Sequence, residues 1–192
     1  DSVASRGLGD VYKRQRFFRK AFKKQSEALG IVYTPVEIVD FILRAADDVS
    51  KKHFGKGLPD EGVCILDPFA GTSSFTVRLL QSGLIKPEDL ARKYANELFA
   101  TEIMLLAYYV SAVNIETTYN ALREEAALRN GEPAPEYVPF TNIALADTFQ
   151  IHEEGDIPDL NIFRENNETI ERQKKAPINV VIGNPPYSAG QK

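Results

Sequence analysis

The sequence predicts an α/β domain built on a doubly wound parallel sheet. Three observations predict it. Short apolar runs alternate with segments of helical periodicity, the order expected of βαβ units. Four such runs each stop at a polar or Gly/Pro signal, at Asp67, Glu102, Asp147 and Asn184. The 192 residues, 43% hydrophobic and 26% charged, suffice for one sizeable core and are too few for two ordinary domains.

Residues 1–15 show no period and read as an expression or read-through tail. From Arg16 a helical pattern sets Phe17, Phe18, Ala21 and Phe22 on one face and Arg16, Arg19, Lys20, Lys23 and Lys24 on the other. The basic face suits a solvated surface or a phosphate-facing stripe. Thr34 is placed as an N-cap, Pro35 as the first helical residue, and Glu37, three residues after Thr34, as completing a capping box. Ile38, Phe41, Ile42 and Ala45 form the expected buried stripe of that helix. A turn cluster from Gly55 to Gly62 closes an N-terminal helical extension over 16–62, and the catalytic-type domain takes 63–192.

Val63 to Leu66 suits a strand buried on both faces, followed by a turn and a helix from Phe75 to Gln81. Lys86 to Asn96 reads as a polar helical insertion, and Leu98 to Thr101 as a second strand ending at Glu102. The next helix is expected to bury Leu105, Leu106, Tyr109, Val110 and Val113. A proline-bearing loop spans Gly131 to Pro139, and Ile143 to Ala146 is a third strand. A polar insertion over 153–176 precedes the fourth strand, Ile178 to Ile182.

Composition narrows the chemistry. One cysteine, Cys64, permits no internal disulfide, and with two histidines the chain furnishes no Cys/His zinc site, so no metal is expected. No membrane-length apolar run and no secretory signal is evident, which places the chain in the cytoplasm. A net charge of −4 is unlike a bare nucleic-acid binder, although seven basic residues and no acid lie between Lys13 and Lys24.

In open α/β sheets ligands bind beyond the carboxyl ends of the strands, so the four stop signals should meet at one crevice. The first, Asp67-Pro68-Phe69-Ala70-Gly71-Thr72, has a single glycine where a pyrophosphate binder needs three. An acid beside it favours a cationic, hydroxyl-bearing ligand, a description that S-adenosylmethionine fits. A plain strand-to-helix turn is the other reading. Glu102, with Ile103, is placed to meet ribose hydroxyls, and Asp147, with Thr148, an adenine amino group; either acid also serves as a helix cap. Asn184-Pro185-Pro186-Tyr187 is the sharpest signal. An exocyclic amine is a poor nucleophile because its lone pair is delocalised. Two acceptors, the Asn184 side-chain oxygen and the Pro185 carbonyl, localise and aim it. Pro186 stiffens the loop, and Tyr187 offers a stacking face for a base drawn out of the duplex.

With these residues in order, the chain resembles the amino-methyltransferases that act on adenine N6 in DNA, in the gamma arrangement. Tyr33-Thr34-Pro35 resembles the family's N-terminal motif against the methionine end of the cofactor, and Asp67 to Gly71 its first cofactor motif. Stretches over 30–43, 102–116 and 181–192 look like the methylase part of single-chain, type I-like (type ISP) restriction–modification enzymes. The resemblance implies a Rossmann-like S-adenosylmethionine-dependent fold, here truncated after the fourth strand, with double-stranded DNA as partner through a longer parent enzyme. It implies that the isolated fragment is inactive and that strand four is an exposed edge. One departure stands out: Ser73 replaces the family's usual glycine, where a side chain is expected to crowd the methionine moiety and weaken binding. Two rival readings are a protein-glutamine N5-methyltransferase and a non-catalytic DNA-binding or assembly module. A nicotinamide enzyme lacks its glycine pattern.

Overall fold

The computed structural model describes residues 34–149, 151 and 164–186. The expected tail, the basic segment from Arg16, Tyr33, Tyr187 and most of the insertion before 164 lie outside the described residues. In chain order the elements are α1 (Val36–Phe54), β1 (Cys64–Asp67), α2 (Ser74–Gln81), α3 (Pro87–Arg92), a π-helical turn (Lys93–Glu97) and β2 (Leu98–Glu102). They continue with α4 (Leu105–Asn130), β3 (Ile143–Leu145), α5 (Arg164–Lys175) and β4 (Ile178–Val181).

The four strands form one parallel sheet in the order β3-β2-β1-β4. Placing β1 in the interior requires the chain to cross back after β3, and this reversal of strand order opens a crevice beyond the carboxyl ends. The central strands are apolar and buried as a parallel sheet demands: every residue of β2 is buried, and all of β1 except half-buried Leu66. Cys64 is a buried core residue. Val39 and Leu43 of α1, Phe75, Val77, Leu79 and Leu80 of α2, and Ile115 and Tyr119 of α4 complete the core.

The helices depart from their expected faces. Among the α1 stripe, Ile38 and Phe41 are exposed, Phe41 by 69%, whereas Val39, Leu43, Asp47 and Ser50 are buried. Likewise Leu105, Leu106, Tyr109 and Val113 of α4 face outward, and Ala107, Ser111, Asn114, Ile115 and Thr118 face inward. The capping box is also absent. α1 begins one residue later than expected, with Pro35 at the cap and no side-chain cap bond, and the Pro35 carbonyl accepts from Ile38 and Val39 N–H.

The segment expected as a polar insertion hides the largest fully buried side chain, Tyr94, which stacks on Tyr119 with ring centroids 3.6 Å apart. Lys93 is buried beside it, donating to the Asp60 and Val63 carbonyls at 2.8 Å and pairing with Glu97 at 2.9 Å. Burial lowers the Lys93 amine below its usual value, and the Glu97 partner opposes that shift. Among the described residues no helix is long and apolar enough to cross a membrane, and no group of three or more His, Cys, Asp or Glu is placed to hold a metal ion.

Candidate functional site at the carboxyl ends of the strands

The four strand tips converge, and the first turn is the hub. Leaving β1, the chain makes a turn in which Asp67 Oδ1 accepts from Phe69 N–H at 3.2 Å, and Ala70 N–H donates to the Thr101 carbonyl of β2 at 2.9 Å. Gly71 has φ +57°, a conformation open to glycine and strained for most other residues. Its N–H donates to Glu102 Oε2 at 2.7 Å, while Glu102 Oε1 accepts from Met104 N–H at 2.8 Å. One carboxylate therefore ties the first turn to the end of β2, and each oxygen keeps a further lone pair for an incoming hydroxyl.

The tip of β3 is attached next. Asp147 Oδ1 accepts from Phe149 N–H at 2.9 Å, shaping the turn that lets the Thr148 hydroxyl donate to the Pro68 carbonyl. The tip of β4 arrives last: Ile182 N–H donates to the Leu66 carbonyl at 2.9 Å, so Gly183 passes directly over Asp67. A Cβ at Gly183 would lie 2.7 Å from Asp67 Oδ1 and 3.4 Å from Pro68 Cδ, which leaves no room for a side chain. Gly183 is thus required by close approach, and it launches Asn184 toward the same crevice.

The crevice is a cleft of about 200 Å³. Of the residues singled out in the sequence, Thr34, Pro68, Phe69, Ala70, Gly71 and Thr72 line it, as do Glu102, Ile103, Asp147 and Thr148. Asn184 and Pro186 lie on the wall with them. Pro35, Asp67 and Pro185 do not. Pro35 caps α1, and Pro185 is exposed beside the cleft.

Asp67 lies beneath the wall, only 2% exposed, and its Oδ2 is buried without a hydrogen-bond partner. Burial pushes its carboxyl from the ordinary 3.8 up to about 7; the Phe69 N–H opposes this shift and the nearby Glu102 charge adds to it. Burial also raises Glu102, against the N–H donors of Met104, Gly71 and Ile103.

The sequence reading missed Phe149, Phe75, Ser74, Thr101 and Ala146, which also line the cleft. Phe149 is the most telling. It is 72% exposed, and its ring centroid stands 5.5 Å from that of Phe69, so two aromatic rings flank the opening. An aromatic two residues beyond the acid at the end of β3 was the available signal.

The family model of the N-6 DNA methylases matches residues 4–192. The chain belongs to that family. Three solved structures agree in fold. Over 97% of its length the chain is 46% identical, with a TM-score of 0.78, to the ATP-dependent type ISP restriction–modification enzyme LlaBIII bound to DNA. Over 93% it is 44% identical, with a TM-score of 0.75, to a nuclease-deletion mutant of the type ISP enzyme LlaGI in complex with a DNA substrate mimic. Over 91% it is 40% identical, with the same TM-score of 0.75, to DrdV in a DNA complex. The chain spans only 12%, 14% and 16% of those three chains respectively. No curated protein matches it.

One expectation for this N-6 DNA methylase chain needs correction. Ser73 does not crowd the cleft. It is fully buried, it is absent from the lining, and its hydroxyl hydrogen-bonds the Ser111 hydroxyl of α4. What its presence costs is backbone strain, because Ser73 has φ +61°.

Proposed function

We propose that this chain is the methyl-transfer part of a restriction–modification polypeptide that methylates adenine N6 in double-stranded DNA at specific sites. One observation carries the reading: Asn184 and Pro186 share a cleft wall with Gly71, Thr72 and Glu102, so an amine-orienting loop faces a donor-binding turn.

The cleft fits S-adenosylmethionine by the chemistry of its walls. It presents a buried carboxyl at Glu102 and an aromatic pair at Phe69 and Phe149. Its single glycine, Gly71, brings backbone close without forming the three-glycine cradle of a pyrophosphate site. When bound, S-adenosylmethionine supplies an electrophilic methyl group. Glu102 would accept from the ribose hydroxyls, and Ile103, Phe149 and Asp147 would hold the adenine. Thr34, within the Tyr33-Thr34-Pro35 sequence, would close the methionine end. Asp67 acts from below, holding Phe69 N–H and packing on Gly183.

Toward the substrate, the Asn184 side-chain oxygen and the Pro185 carbonyl accept the two hydrogens of the target amine. They draw the nitrogen lone pair out of the ring and aim it at the donor. Pro186 fixes the direction of that carbonyl, and Tyr187 stacks the extruded base. This is catalysis by orientation and fixed dipoles, and no covalent nucleophile is needed.

The test joins the chain to a target-recognition domain and measures transfer of radiolabelled methyl to duplex DNA. Asn184→Ala is expected to lower turnover by about 10²–10³-fold while leaving donor affinity within a factor of about two. Unchanged methylation would overturn the proposal.

A further inference from the structure

Ser73 sits in the left-handed backbone region that an L residue other than Asn or Asp rarely occupies, at φ +61° and ψ +38°. It does so at the N-terminus of α2, immediately after the turn that lines the cleft, and without using its side chain as a helix cap. Its N–H closes the turn on the Ala70 carbonyl at 2.6 Å, and its carbonyl accepts from Val77 N–H at 2.9 Å. The residue therefore fixes how the lining residues Gly71 and Thr72 are presented. A side chain in this strained position, fully buried, needs something to hold it.

The buried face of α4 provides that hold. Ser111 is fully buried and exchanges a hydroxyl–hydroxyl hydrogen bond with Ser73. Nearly one turn further on, Asn114, 2% exposed, donates from Nδ2 to the Thr72 carbonyl at 3.0 Å. Two polar side chains on the inward face of one helix thus grip two consecutive residues of the same turn, and they occupy positions that packing alone would fill with apolar groups.

Resting on the donor-binding role given to this turn above, we propose that Ser111 is a positioning residue for donor binding, its hydroxyl stabilising Ser73 in the left-handed conformation that shapes the turn. Ser73 and Ser111 then form an interdependent pair. With Ser111 present, serine at 73 is tolerated. Without Ser111, the Ser73 hydroxyl is buried unsatisfied and its backbone is strained with no compensation. Glycine at 73 needs neither, because it adopts the conformation freely and carries no hydroxyl.

The experiment is a four-protein cycle of the 192-residue chain, comprising the wild type, Ser111→Ala, Ser73→Gly and the double variant. S-adenosylhomocysteine binding is measured by calorimetry and stability by urea unfolding. Ser111→Ala is expected to weaken binding about tenfold, and Ser73→Gly to leave it within about twofold. The double variant is expected to return to within about twofold of the wild type. A double variant as weak as Ser111→Ala would overturn the inference, because simple loss of core packing is not repaired by removing a second side chain. If the wild-type chain fails to bind the probe, the donor-binding reading falls. The urea arm still decides whether the pair is coupled: additive losses of stability would overturn the coupling, and recovery in the double variant would uphold it.

Discussion

Asp67 is a carboxyl group placed where water cannot reach it, and its stability cost depends on pH. In the folded chain it releases its proton near pH 7, whereas an unfolded chain releases it near the ordinary 3.8. Between those values the folded state holds a proton that the unfolded state has lost, so stability falls as pH rises through the window. Below the window the contribution is fully present; above about 7 it is gone. Glu102 is shifted in the same direction and adds to the slope. Asp67→Asn should flatten the decline between about pH 4 and about pH 7, as read from urea midpoints across that range. Parallel profiles for variant and wild type would show that Asp67 is not its source. At this scale the sequence was legible in part. The positions of Asp67, Gly71, Glu102, Asp147 and Asn184 at strand ends were enough to expect their convergence at one crevice, because open α/β sheets bind ligands beyond those ends. Their facing was not legible. That Asp67 turns under the wall while Glu102 lies on it depends on Gly183 arriving from β4, a contact with no local sequence signal.

The helices show a different limit. Periodicity assigns the most apolar face of a helix to the core, and in α1 and α4 much of that face turns outward instead, although Ile42 of the α1 stripe does pack against the core. The inward faces carry polar side chains that hold loop backbone: Asp47 accepts from Leu58 N–H at 2.9 Å, the Ser50 hydroxyl donates to the Lys56 carbonyl, and Asn120 exchanges two bonds with Val138. A loop anchor and a solvent-facing polar residue look the same in a sequence. The strands were read almost to the residue, because in this parallel sheet the inner strands are apolar up to their polar carboxyl ends and are buried on both faces, which leaves no face to choose. On α1 the observed burial makes a sharp prediction. Leu43→Ala should cost about 2–5 kcal/mol of stability, whereas Phe41→Ala, on the expected but outward stripe, should cost under about 0.5 kcal/mol. Equal losses in thermal or urea unfolding would restore the expected assignment, with Phe41 in the core.

Across the whole molecule the two edges of the sheet are treated differently. On β3, the Asn166 side chain of α5 accepts from Leu145 N–H at 2.7 Å and donates to the Leu145 carbonyl at 2.9 Å, filling a ladder position as another strand would. On β4, among the described residues, only β1 pairs with the strand, and Val181 is 65% exposed. The unpaired edge was expected from the family resemblance; the blunted one was not, since nothing in a polar helix marks one amide as a strand surrogate. An open, apolar edge promotes association between copies. Val181→Lys should therefore reduce concentration-dependent self-association in sedimentation velocity while leaving the unfolding midpoint nearly unchanged. Equal association by both proteins would place the sticky surface elsewhere.

The pairing of β1 with β4 also has a consequence in time. Cys64 N–H is bonded to the side chain of Asn179, 115 residues downstream. A ribosome adding 5–20 residues each second takes on the order of 10 s to make that stretch. Until then β1 lacks its β4 neighbour, and Asn184 is not yet beside the first turn. The cleft is therefore completed only once β4 has been made and has paired with β1.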